Sequence, residues 1–479
     1  MKKILSLILS ASLALFCTPA YARTENSVET QAAAQSCPGA DLRSEDAAYV
    51  FQLSEDADPG QLGQQAEPLC EDARLYRTDD IALIRQLASE NVIDQYAADG
   101  VISLDGTTEP ILAAAKVPQD YRRAMLGYSY AEENGITGEG VKIAIIDSGL
   151  WNKFSSPATI LPGVNFLVST ESADRSNVND TYGHGTFVTS IICGDGIGLA
   201  PNVTILPLKC FDARESDYSY VIAAINEAIE EECDIINLSL GGTAQYPLLE
   251  EAVQLALDKG IIIVAASGNL TGSSTGNDQP NYPAAHEGVI SVGAVDAQKT
   301  IWNKSVQNDS VCVVAPGAMV IGLSITSSGY ATNNGTSFSA PLVSATAALA
   351  LSADDTLTAA DFTELLTSTA EDLGVKGKDN AYGHGLMNPA LLLATIREDC
   401  ESLILTGWNG HTGLSAYVTE QNAVNFLALC DENGQIISMI NATRLNSYLL
   451  PPDVKYVSLI SADSETYSPL YAARKMTLP

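Results

Sequence analysis

The sequence predicts a doubly wound α/β fold, a mostly parallel sheet with helices on both faces. Two observations point there. Short, nearly continuous apolar runs recur at residues 141–146 (VKIAII), 203–208, 235–240, 261–266 and 289–295, as in strands buried on both faces. Helical patterns lie between them, including 220–231 and 248–259. The first run ends in Asp147-Ser148-Gly149, and sites in such sheets sit at the carboxyl ends of the strands.

In chain order, Met1-Lys2-Lys3 is a basic start, residues 4–16 are apolar, and Ala20-Tyr21-Ala22 has the small-x-small form of a signal peptidase site. Residues 1–22 are therefore expected to be a signal peptide and the protein to be secreted. The apolar run is well short of the ~20 residues needed to span a bilayer. Cys17 invites a lipoprotein reading, against which Phe16 is a poor residue to precede a lipidated cysteine. Residues 23–40 are polar and read as a flexible leader. A strand-like run at 47–53, a helical pattern at 81–88 and a strand candidate at 101–104 make a small α/β unit, and 111–118 (ILAAAKVP) reads as a linker or exposed tail. The main α/β domain is expected over 118–397. Beyond it, short β-like runs at 403–405, 423–429, 436–440 and 455–460 are separated by turn signals such as Asn409-Gly410 and Glu432-Asn433-Gly434. Residues 398–479 thus read as a small antiparallel β module.

Composition fits this plan. The chain has 479 residues, enough for about three domains, and is 46% hydrophobic and 17% charged. A large packed core is available and global disorder is excluded. The net charge of −33 argues against nucleic acid and anionic membranes as partners. Of nine cysteines, Cys17 lies in the signal segment; the remaining even set permits disulfides. Cys37 with Cys70, and Cys400 with Cys430, are candidate pairs, while Cys193, Cys210, Cys233 and Cys312 could be bridged or buried thiols. No Cys/His spacing suggests zinc.

Three segments carry chemistry. Asn334-Gly335-Thr336-Ser337-Phe338-Ser339-Ala340-Pro341 reads as a loop delivering Ser337 to the start of a buried helix, where free N–H groups favour an oxyanion; alone, it could equally be a helix cap. His184, in Gly183-His184-Gly185-Thr186, is one of only four histidines and opens a helical run; alone, it could be a structural histidine. Asp147 could by itself be a solvated strand-end acid. Together they supply a nucleophile, a base and a carboxylate that orients the base, in the chain order Asp, His, Ser.

On these stretches the chain resembles the subtilisin-like serine proteases, or subtilases. The segments Gly198-Leu199-Ala200-Pro201, Leu208-Lys209, Asn237-Leu238-Ser239-Leu240-Gly241-Gly242, Ala265-Ala266-Ser267-Gly268-Asn269, Tyr282-Pro283-Ala284 and Ala315-Pro316-Gly317 carry the resemblance further, over about residues 125–395. It implies a catalytic triad of Asp147, His184 and Ser337, with Asn269 as an oxyanion donor beside the Ser337 N–H. It further implies that Ser239, Leu240, Gly241 and Gly242, with Ala265, Ala266, Ser267 and Gly268, form two strands that line the primary pocket and pair with an extended substrate, with Asn281 at the pocket floor. The preference of that pocket stays open, leaning to apolar or mid-sized residues. No role is assigned to His384, and His286 and His411 are expected at the surface.

Residues 47–105 resemble a subtilase propeptide more loosely, so 23–117 is expected to hold leader and inhibitory propeptide, with self-cleavage in the 111–118 tail. The segment 187–197 is shorter than the calcium-holding loop usual in bacterial subtilisins. No cofactor is therefore expected, with structural calcium left open. The implied protein is a monomeric, secreted serine endopeptidase made as a zymogen and acting on proteins or peptides. Alternatives are a catalytically silent surface-binding protein on the same fold, or a transpeptidase using the same acyl-enzyme.

Overall fold

The computed structural model describes residues 48–90, 92–105, 112–114, 120–168, 175–270, 279–326 and 329–397, and in the C-terminal part 401–408, 411–418, 423–433, 435–441, 445–451, 453–463 and 474–477. The expected signal peptide and leader lie outside the described residues.

The N-terminal unit is a four-stranded antiparallel sheet under one helix. Its strands β1 (Tyr49–Leu53), β2 (Glu67–Cys70), β3 (Leu75–Thr78) and β4 (Ile93–Ala98) run in the order β2-β3-β1-β4. Helix α1 (Ile81–Ser89) starts at Asp80, whose carboxylate accepts from the N–H groups of Ala82 and Leu83. Its Leu83, Ile84 and Leu87 pack on Tyr49, Phe51, Leu53 and Ile93. The next two strands, β5 (Val101–Leu104) and β6 (Leu112–Ala114), do not join this sheet.

Two short helices, α2 (Tyr121–Leu126) and α3 (Ser129–Glu133), lead into the main domain. Its elements in order are β7 (Lys142–Asp147), β8 (Thr159–Ile160), β9 (Val164–Asn165), α4 (His184–Cys193), β10 (Thr204–Lys209), β11 (Glu215–Asp217), α5 (Tyr218–Glu230), β12 (Ile235–Leu238), β13 (Leu240–Gly241), α6 (Pro247–Asp258), β14 (Ile262–Ala266), β15 (Ile290–Val295), β16 (Val313–Pro316), β17 (Val320–Ser324), β18 (Gly329–Asn333), α7 (Ala340–Ala353), α8 (Ala359–Ser368) and α9 (Pro389–Ile396). The central sheet has the order β16-β15-β14-β12-β7-β10-β8, all parallel, with β9 also beside β10. Successive side chains enter different cores, as the period of a strand requires. Ile143 and Ile145 of β7 pack with α4 and α7, whereas Ala144 and Ile146 pack with α5 and α6. Each such fully buried Ile contributes roughly 1.5–3 kcal/mol. The chain leaves β7 for β10 on one side and returns to β12 on the other, so the topological switch point, where doubly wound sheets bind ligands, falls at the carboxyl end of β7.

The N-terminal unit docks on the α5/α6 face. Val50, Leu69, Leu75 and Ala97 share one core with Val221, Ile225, Leu249 and Val253. Asp99 supplies a carboxylate to the N–H of Ser219 in the first turn of α5, and the Gly100 carbonyl accepts from Tyr218 N. Strand β5 then runs between β11 and β13, antiparallel to both, and β6 pairs antiparallel with β18. The 111–118 segment, read as a tail, thus holds a strand.

The C-terminal part forms two antiparallel sheets, β19 (Glu401–Trp408), β20 (His411–Val418) and β23 (Leu445–Leu449) in one, and β22 (Ile436–Asn441), β21 (Ala423–Cys430), β24 (Tyr456–Asp463) and β25 (Arg474–Thr477) in the other. Two expectations fail. Cys70 and Cys430 are free, buried thiols, so the two bridges are not formed; Cys37 and Cys400 lie outside the described residues. Cys193, Cys210, Cys233 and Cys312 are thiols as well. His286 is buried, not at the surface, because its ring packs on Tyr282 beneath Glu250.

Candidate active site

Asp147 closes β7 and is fully buried, as an apolar strand with one polar terminal residue dictates. His184 is the first residue of α4, which enters directly over that strand end. The approach needs glycine: a Cβ on Gly185 would lie 2.4 Å from the Gly149 carbonyl oxygen. His184 Nδ1 lies 2.9 Å from both carboxylate oxygens of Asp147. Burial disfavours the imidazolium, but the Asp147 carboxylate outweighs it, so the His184 pKa is raised from the usual histidine value.

Ser337 lies in a 3-10 turn, Thr336–Phe338, that opens into α7. It is fully buried, and its Oγ donates to the Ser239 carbonyl at 3.0 Å; it is not hydrogen-bonded to His184. Ser239 Oγ in turn donates to the Ser337 carbonyl at 2.8 Å. Phe338, next in sequence to Ser337, packs against the His184 ring, with centroids 5.5 Å apart. Asn269 follows β14, and its Oδ1 accepts from Thr336 N and Thr336 Oγ1 at 3.0 and 3.1 Å. That fixes the amide and leaves Nδ2 a buried donor without a partner. A donor held this way is ready for negative charge that develops later.

What faces these groups is the end of β5. Asp105 N donates to the Ser239 carbonyl at 3.2 Å, and the Asp105 carbonyl oxygen is 3.3 Å from His184 Nε2. Nδ1 faces the Asp147 carboxylate and Nε2 faces this carbonyl, an acceptor on each side, which favours the protonated ring and accords with its raised pKa. The Asp105 side chain is buried and accepts from Asn281 Nδ2 at 3.1 Å.

The predicted binding segments divide. Leu240 and Gly241 pair with Leu104 and Ser103, and Gly242 bridges to Tyr282. Ala265 and Ala266 end β14, and Ser267 N is bonded to the Val292 carbonyl, so none of 265–268 pairs with β5; Gly268 and the Ala266 carbonyl meet the Asn281 side chain instead. The second pairing partner of β5 is β11. Asn281 stands beside Gly241 and Gly268 and donates to the Asp105 carboxylate. A hollow of about 1150 Å³ lies elsewhere, around His286, Cys312 and His384.

The family described as "Subtilase family" matches residues 138–385. Subtilisin DY of Bacillus licheniformis is 36% identical over 263 residues, 54% of this chain and 92% of that protein. The minor extracellular protease Epr of Bacillus subtilis is 35% identical over 263 residues, 53% of this chain but only 38% of Epr. The major intracellular serine protease of the same species is 31% identical over 250 residues, 51% of this chain and 77% of that protein. The chain belongs to the subtilase family.

As a subtilase it is a serine endopeptidase, a hydrolase of peptide bonds. Several supports of this subtilase's site escaped the sequence reading. Asp180 accepts from Gly183 N at 2.7 Å and from Thr186 N and Oγ1 at 2.9 and 2.7 Å, anchoring the start of α4. An acid four residues before the histidine, at the start of a helical run, was the available signal. Buried Lys209 donates to the Ser148 carbonyl at 2.9 Å and pins the turn after Asp147; a lysine ending an apolar run was its mark. Asp105 had no signal, since its importance comes only from where β5 docks.

Proposed function

We propose that this protein is a secreted serine endopeptidase made as a self-processed zymogen, in which Asp147, His184 and Ser337 act as triad. The observation that carries the reading is the Asp105 carbonyl beside His184 Nε2, on a strand paired with β13 as an extended substrate would be. Ser337 Oγ attacks the Asp105 carbonyl carbon and its proton passes to His184 Nε2. The tetrahedral oxyanion is held by the Ser337 N–H and Asn269 Nδ2, a donor worth about 3–4 kcal/mol in such sites. The Asp105–Gly106 C–N bond breaks as His184 protonates the departing Gly106 amine. Water, deprotonated by His184, then attacks the ester carbon; the C–Oγ bond breaks, His184 returns the proton to Ser337 Oγ, and the Asp105 α-carboxylate is released. Asp147 orients the imidazole and stabilises its cation throughout. No step needs a cofactor.

The inhibited state differs from the reactive one by three local changes. Ser337 Oγ must leave the Ser239 carbonyl, the Asp105 carbonyl oxygen must turn from His184 Nε2 to the Ser337 N–H and Asn269 Nδ2, and Nε2 must be unprotonated to take the serine proton. The propeptide then ends at Asp105 rather than near 117, and the mature protein carries the catalytic domain to about 397 and the β module beyond. Residues 1–22 direct secretion, with which the name of the extracellular relative Epr agrees. The enzyme acts as a monomer on protein or peptide substrates, with its own propeptide as inhibitor. Expression of wild type and Ser337→Ala in an oxidising, protease-free host tests this. The wild type is expected to shorten and to react with a serine-directed fluorophosphonate, and the variant to do neither. A shortened Ser337→Ala would sink self-processing.

A further inference from the structure

The pocket that receives Asp105 is short and ends in a polar group. Its walls are Gly241 of β13 and Gly268 after β14, and the Asn281 side chain stands between them. A Cβ on Gly241 would lie 2.0 Å from Asn281 Nδ2, and one on Gly268 would lie 2.9 Å from Asn281 Cγ. The amide therefore fills the space that the two glycines leave open. It is anchored from both sides: Gly242 N donates to Tyr282 O at 2.9 Å and Tyr282 N to Gly242 O at 2.7 Å, next in sequence to Asn281. Its orientation is set too. Nδ2 gives one hydrogen to the Ala266 carbonyl at 3.3 Å and the other to Asp105 Oδ2 at 3.1 Å, and a reversed amide would face two oxygens with an oxygen.

We propose that this pocket selects a short side chain bearing an acceptor, aspartate first and asparagine as its neutral isostere, so that the enzyme cuts peptides after such residues. The proposal names the substrate class of the protease reading above and rests on it. Strand β5 extends the motif. Ile102 and Leu104 are each 1% exposed, Val101 is 58% exposed, and Ser103 is intermediate, the alternation of a strand read on one face. The preferred substrate is thus an extended peptide with apolar residues four and two places before the cut. A Leu or Phe at the cut would meet the Asn281 amide and leave Nδ2 one acceptor short. A pocket built around a hydrogen bond rejects partners lacking it far more strongly than an apolar pocket rejects a wrong size.

Protonation sharpens the distinction between the two favoured residues. Burial raises the Asp105 pKa to about 7, against the lowering influence of the Asn281 amide, His184, Arg214 and the Asn269 N–H. A free aspartate titrates near 3.8, so binding takes up a proton. The preference for Asp is full below that value, declines as pH rises towards about 7, and flattens above it; Asn has no such dependence.

The test uses the mature enzyme, with its active fraction counted by fluorophosphonate labelling, on acetyl-Ile-Ser-Leu-X-aminomethylcoumarin with X as Asp, Asn, Leu or Phe. Asp and Asn peptides are expected to lead, with kcat/KM for Leu and Phe at least about a hundredfold lower. The Asp/Asn ratio is expected to fall about tenfold between pH 6 and pH 8. Asn281→Gly is expected to raise Phe relative to Asp by more than tenfold. A labelled wild-type enzyme that prefers Leu or Phe, or whose Asp/Asn ratio ignores pH, overturns the proposal and leaves the protease reading standing. An enzyme that does not label at all overturns that reading as well.

Discussion

The central sheet and the N-terminal sheet of this protein are buried by different means. β7 sends alternate residues into two cores, each completed by helices of its own domain. β1 sends Tyr49, Phe51 and Leu53 into a small core under α1, but Val50 packs with α5 and α6, which belong to the other domain. One sheet is self-sufficient, and the other is finished only by docking. On the proposed zymogen reading, that dependence is what an inhibitor that must later leave requires. Its affinity would then reside in apolar surface on α5/α6 and in a strand laid through the active site, not in a continuous common fold.

The comparison can be broken at several points. Asp147→Asn acts on the self-sufficient side, where it should lower kcat about 10⁴-fold while leaving Tm nearly unchanged, measured by active-site-titrated kinetics and calorimetry. A Tm collapse would mean that Asp147 holds the fold. Leu75→Ala acts on the dependent side. Leu75 is fully buried against α5 and α6, and truncation should cost about 2–5 kcal/mol of docking. The expected readout is a lower yield of folded zymogen and faster propeptide release, with kcat/KM of any mature enzyme unchanged. A lower kcat/KM would place Leu75 in the mature enzyme's core. The smallest effect concerns Asp99. Burial raises its pKa in the docked state, outweighing the Ser219 hydrogen bond, so docking takes up a proton. Inhibition by the cleaved propeptide should therefore be tightest below the ordinary carboxylate pKa and weaken as pH rises through the raised one. Asp99→Asn keeps an acceptor for Ser219 N and should flatten part of that dependence, as read from inhibition constants at pH 5 and pH 8. An unchanged profile would remove Asp99 from the account.

Much of this was legible in the residues. The five apolar runs became β7, β10, β12 with β13, β14 and β15, because strands buried on both faces have little freedom in composition. Asp147, His184 and Ser337 fell where strand and helix ends were expected, since glycines and apolar periodicity mark those ends. The N-terminal unit was harder: β2 and β3 are short and half polar, their apolar faces divided between two cores. β5 looked like part of that unit and pairs instead with β11 and β13, a long-range choice that no local pattern encodes. The disulfide expectation rested on parity and domain membership, whereas Cys70 packs as a small hydrophobe in the docking core. The pocket's lean to apolar residues gives way, on the proposal above, to a short acceptor-bearing side chain, because the Asn281 amide fills the space between Gly241 and Gly268.

The central claim is that β5 lies in the site as a substrate whose cut bond follows Asp105. Intact-mass and N-terminal analysis of the mature wild-type enzyme tests it most directly, with Ser337→Ala as the uncut reference. The account predicts a mature chain beginning at Gly106 before any later trimming, and a matching propeptide ending at Asp105. A primary cut within 111–118, with the 105–106 bond left whole, would contradict it.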